Sequence, residues 1–117
     1  MFEVLTVGNK EYKCKLTASA MVNLERKWGK NPVSIFIDMV DGDELPKLEP
    51  LLEVVHASLQ KFNHGIGWSD VLDLYDDFID DGNSIRDLIQ FCFRLFKEAG
   101  YISSQEETTG EDETKNQ

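Results

Sequence analysis

The chain has little cysteine, little proline, little positive charge and no long apolar run, and each scarcity closes off a class of protein. The only thiols are Cys14 and Cys92, far apart and each set in an apolar pattern. Free buried thiols in a reducing compartment are therefore expected, rather than a disulfide or a metal site. The start, MFEVLTVGNKEYK, has neither the basic opening nor the apolar core of a signal peptide. Spanning a bilayer takes about 20 apolar residues in a row, and no segment approaches that. A soluble intracellular protein is expected, with no membrane partner.

Twelve Lys/Arg face 22 Asp/Glu, a formal charge of −10. The first 30 residues carry a net +3, residues 31–102 a net −9 and residues 103–117 a net −4. Nucleic-acid binding needs phosphates neutralised by Lys/Arg, so this balance argues against it. A basic start and an acidic remainder instead permit head-to-tail attraction between copies, hence a homo-oligomer.

Catalytic and ligand-binding signatures are missing as well. His56 and His64 stand eight residues apart with no nucleophile or metal motif beside them, and read as a core-edge and a loop histidine. Gly65 and Gly67 are followed by Trp68 rather than by the Lys-Ser/Thr pair of a phosphate loop. Asp77 to Gly82 looks like the start of a calcium loop, but its third and twelfth ligand positions would be Ile79 and Leu88, which offer no oxygen. Neither an enzyme nor a cofactor or metal protein is expected.

What is present is helical periodicity. Leu48 to Phe62 places Leu48, Leu51, Leu52, Val54, Val55, Leu59 and Phe62 on one side, a central core helix in which the small Ala57 and Ser58 allow close approach. Upstream, Phe2–Val7 and Glu11–Leu16 flank Gly8-Asn9, a pair suited to the positive φ of a tight hairpin turn. Thr17 and Gly29 bracket a helix over 18–28, and Asn31-Pro32 opens another to about Val40, with Ile35, Phe36 and Met39 inward. Asp41-Gly42-Asp43 ends it. Ser69 is expected to cap a helix over 70–81 whose buried side is Val71, Leu72, Leu74, Tyr75, Phe78 and Ile79. Ser84 and Asp87 form a capping box for a last helix over 85–99. Its apolar arc, widened by Phe91 and Phe93, reaches about 200°, more than one contact face needs. The predicted fold is mainly α: a compact bundle of about five helices with an N-terminal β-hairpin over 1–102, then a disordered acidic tail over 103–117.

Two constellations remain as candidates for partner binding. Asp73, Asp76, Asp77, Asp80 and Asp81 repeat at three- and four-residue spacings. Like charges so placed cost about 0.2–0.5 kcal/mol per pair, so local stability does not explain them. They make either a solvated face or an acidic ridge for a basic partner or a neighbouring copy. Trp28, Trp68, Phe91 and Phe93 are an aromatic surplus that either fills the core or presents a patch to another apolar polypeptide.

The segments LTASAMVNLERKWGKNPVSIF (16–36), VHASLQKFNHGI (55–66) and VLDLYDDFIDDG (71–82) give the chain a resemblance over about residues 12–102. It resembles the tail assembly chaperones of long-tailed bacteriophages and prophages of Gram-positive bacteria. The resemblance implies a non-enzymatic protein of the host bacterial cytoplasm, absent from the finished virion. Such a protein binds the long apolar tape-measure protein, keeps it soluble and helps recruit tail-tube subunits. In many relatives a ribosomal frameshift makes a longer form whose extension engages the tube protein, and Ser103 lies where such an extension would join. On this reading Phe91 and Phe93 are exposed client contacts, and replacing both by Ser leaves the fold intact. A second reading is an acidic, DNA-mimicking inhibitor acting through the Asp73 to Asp81 ridge.

Overall fold

The computed structural model describes residues 1–36 and 44–102. Strands β1 (Glu3–Val7) and β2 (Lys10–Cys14) pair antiparallel with Val7 opposite Lys10, which leaves Gly8 and Asn9 as a two-residue turn. Gly8 takes φ +61°, the left-handed conformation such a turn requires. The register puts Leu5, Val7 and Cys14 on one face, and all three are buried.

Four α-helices follow among the described residues: α1 (Ala18–Trp28), α2 (Leu48–Leu59), α3 (Trp68–Asp80) and α4 (Ile85–Glu98). Helix α1 begins where Thr17 Oγ1 accepts the Ala20 N–H at 3.1 Å. It ends at Gly29, which is left-handed at φ +71° and donates its N–H to the Glu25 carbonyl. Helix α4 carries the expected capping box: Asp87 accepts the Ser84 N–H at 2.8 Å while Ser84 Oγ accepts the Asp87 N–H.

Helix α2 is the hub, touching α1, α3, α4 and β2. Leu51, Val54 and Leu59 are wholly buried on it. So is Ser58, whose hydroxyl donates to the Val55 carbonyl at 2.7 Å. The absence of a bulky side chain there lets β2 run onto the helix end: the Lys15 N–H donates to the Ser58 carbonyl at 2.7 Å, and Asn63 Nδ2 donates to the Lys13 carbonyl at 3.0 Å. Two carbonyls are thereby satisfied, one of them in the last turn of the helix, which has no intrahelical partners.

Three expectations are corrected. A fifth α-helix from Pro32 is a 3₁₀ segment, Pro32–Phe36, among the described residues. It is opened by the Val33 N–H donating to Asn31 Oδ1 and the Ser34 N–H to the Asn31 carbonyl, the tight i to i+3 pattern. Ile35 and Phe36 are buried as expected, while Met39, the Asp41-Gly42-Asp43 stop and the tail from Ser103 lie outside the described residues. Second, α2 stops at Leu59, and Phe62 is exposed, edge-on to Phe2 at 5.8 Å with the Lys13 ammonium over both rings. Third, Phe91 is buried and Phe93 half-buried, because the wide arc of α4 has a neighbour on either side of its contact with α2. Strand β1 lies along one side, and Phe36 of the 3₁₀ segment meets Phe93 at 5.8 Å and Phe96 at 5.7 Å on the other.

Burial pushes the Cys14 thiol up to about 11, and the Cys92 thiol, wholly enclosed, higher still. Native protein at pH 8 is therefore expected to resist an aromatic disulfide reagent that labels both thiols at once in denaturant. Above pH 9 the unfolded thiols ionise and the folded ones do not, so the native state holds more protons and loses stability as pH rises. The expected slope is about 1.4 kcal/mol per pH unit per thiol until the folded values are reached, read from urea midpoints at pH 8 and 10.

Candidate docking face

Helix α3 starts one position before Ser69, which is not its cap. Gly67 occupies the cap position, and Asp70 accepts the Gly67 N–H at 2.8 Å. The helix turns Val71 and Phe78 inward, with Leu74 and Tyr75 half-buried beside them, against Leu5, Leu52, Val55 and Leu88. Leu72 and Ile79 were expected on that buried side and are instead 42% and 37% exposed. With Trp68, 38% exposed, they form a single apolar stripe at spacings of four and seven, Tyr75 marking its inner edge. The apolar arc of α3 spans about 160° at 100° per residue, and its neighbours cover one side of it.

The acids continue around the helix from this stripe. Asp76 and Asp80 come next to it, then Asp73 and Asp77, all exposed. The ion pairs among the described residues join Lys15 to Glu98, Lys27 to Glu53 and Arg94 to Glu3, and so leave these four aspartates without a partner cation. Asp81 is different: it accepts the Gly8 N–H and ties the end of α3 to the hairpin turn, a structural role that its place in the acidic run concealed.

Of the four aromatics singled out from sequence, only Trp68 stands in the exposed stripe. Trp28 is half-buried and donates its Nε1–H to Glu53 at 2.9 Å. Glu53 also takes the Lys27 ammonium, which raises the Lys27 pKa through that hydrogen bond and its charge. Phe91 lies under the Arg94 guanidinium, 5.6 Å from the ring centroid, and Arg94 reaches on to Glu3 at 3.3 Å.

A groove of about 730 Å³ runs between α1 and α2, its walls including Asn23, Lys27, His56, Gln60, Lys61 and His64. Both histidines thus share a feature that their spacing did not suggest. His56 also packs edge-on to Trp68 with ring centroids 6.1 Å apart, so the groove and the α3 stripe meet at this contact. Among the described residues no group of three or more His, Cys, Asp or Glu could hold a metal ion, and no helix is long and apolar enough to cross a membrane.

A sequence model for a family of unknown function, DUF6096, matches residues 2–116. No curated protein and no solved structure matches the chain.

Proposed function

We propose, for this chain, which belongs to the DUF6096 family, a role as a non-enzymatic phage tail assembly chaperone. It binds the apolar tape-measure protein, keeps it soluble and helps recruit tail-tube subunits. The observation that carries the reading is the exposed Trp68, Leu72 and Ile79 stripe beside unpaired acids on α3. An apolar client needs an exposed apolar contact surface, and a protein displaying one stays in solution best with strong net charge of one sign. The resemblance of residues 16–36, 55–66 and 71–82 to that chaperone family supports the same role. Many copies along one long client attract one another through the basic first thirty residues and the acidic side of α3. The protein acts in the host bacterial cytoplasm and leaves before the virion is complete.

The test is co-expression with the largest coiled-coil-rich protein encoded immediately downstream, followed by pull-down and light scattering of the soluble fraction. The expected outcome is a soluble complex holding many copies of this chain per client. A client that stays insoluble and unbound defeats the reading. The exposure of Asp73, Asp76, Asp77 and Asp80 favours a second reading, a DNA-mimicking inhibitor of a nucleic-acid enzyme. Reversing those charges destroys a mimic, whereas loss of apolar contacts destroys a chaperone.

A further inference from the structure

We propose that the α3 stripe seats one amphipathic α-helix of the partner, its apolar face on Trp68, Leu72 and Ile79 and a Lys/Arg-rich flank against Asp76 and Asp80. This rests on the chaperone reading for the identity of the partner, but the surface and its chemistry are argued from α3 itself. From Trp68 to Ile79 the stripe runs about 16 Å at 1.5 Å per residue, the length of three helical turns. Side chains at spacings of four and seven offer a row of contacts that another helix meets with its own i, i+4 and i+7 positions.

Charge decides the occupant. Asp76 and Asp80 border the stripe, and none of the ion pairs among the described residues involves them. A partner helix with cations on that flank gains attraction and steering, while an acidic one meets repulsion. A second copy presenting the same face is disfavoured for that reason: packed antiparallel, a two-fold sets each aspartate row beside its own image, and packed parallel it finds no cation, because α3 carries no Lys or Arg. The basic first thirty residues expose Met1, Phe2 and Val4 at the hairpin but supply no matching helical stripe either. Among the large apolar side chains of α1 only Val22 is exposed, so it offers no stripe to cover three residues of α3. Asp73 and Asp77, further round the helix, remain open to the charge-based contact between copies.

The probe is an 18-residue designed helix with a leucine stripe and lysines along one flank, titrated calorimetrically into the full chain. Its twin carries glutamates in place of the lysines. The lysine peptide is expected to bind at least ten-fold more tightly than the twin. The double variant Leu72→Ser, Ile79→Ser is expected to weaken binding at least ten-fold with unchanged helical circular dichroism, since both residues are exposed. Asp76→Asn with Asp80→Asn should weaken it several-fold and flatten its salt dependence. Equal binding of the two peptides, or undiminished binding by the double serine variant, overturns the proposal. So does light scattering that shows the wild-type chain as a dimer which the serine variant dissociates, because the occupant is then a second copy. Running the serine variant in the co-expression assay separates the two levels. If wild type and variant solubilise the client equally, the chaperone reading stands and this docking site falls. If wild type itself fails there, the chaperone reading falls, and the peptide titration still decides what α3 binds.

Discussion

Phe91→Ser is expected to lower the free energy of unfolding by about 3–5 kcal/mol, the range for removing a buried aromatic ring. Phe91 is 2% exposed, and on its outer side the Arg94 guanidinium covers the ring and reaches Glu3 on β1. Serine leaves a cavity where the ring was, and the cost of that cavity adds to the lost transfer energy. Urea denaturation followed by circular dichroism reads the loss directly. Phe93→Ser should cost less, because Phe93 is half-buried and its main aromatic neighbour, Phe36, stays packed on Phe96. This reverses the expectation that both phenylalanines can be replaced without harm to the fold. An unchanged midpoint for Phe91→Ser would mean that β1 does not close over α4 in solution.

Ser58→Leu carries the second large effect, an expected loss of about 2–4 kcal/mol from overpacking together with a displaced backbone hydrogen bond. Ser58 has no accessible surface, and its carbonyl accepts the Lys15 N–H at 2.7 Å just past the end of β2. Three extra carbons have no space between α2 and the strand end, so the hairpin must lift. Hydrogen exchange would show it as lost protection at Lys15 with the α4 amides less affected. Ser58→Ala is the control: it keeps the small volume, gives up the local bond to the Val55 carbonyl and the side-chain hydrogen bond with the Cys14 thiol, and should cost about 1 kcal/mol. A leucine accommodated without loss would show that the hairpin rests on α2 more loosely than these distances indicate.

The features that local sequence determined are those whose physics is local. The Gly8-Asn9 turn, the Thr17 and Ser84 caps and the left-handed Gly29 each depend on residues within four positions, and each is where its own chemistry requires. Helix α2 was legible as the hub because its apolar residues gather on one side of it, around small Ala57 and Ser58. The Gly67 start of α3 was missed because Ser69 is the better cap residue in isolation, while the carboxylate of Asp70 takes the Gly67 N–H and moves the boundary.

The docking face was not legible, and α3 and α4 together show why. Both helices carry an apolar arc wider than one neighbour can cover, so periodicity marks a surplus on each and says nothing of its fate. On α4 the surplus is Phe91 and Phe93, and β1 and the 3₁₀ segment reach both sides of it. On α3 the surplus is Trp68, Leu72 and Ile79, which keep more than a third of their surface in solvent. A helix period fixes which side chains share a side, since that follows from 100° of rotation per residue. Whether that side is dry depends on which distant segments arrive there, a matter of chain topology and long-range packing that only the tertiary structure decided.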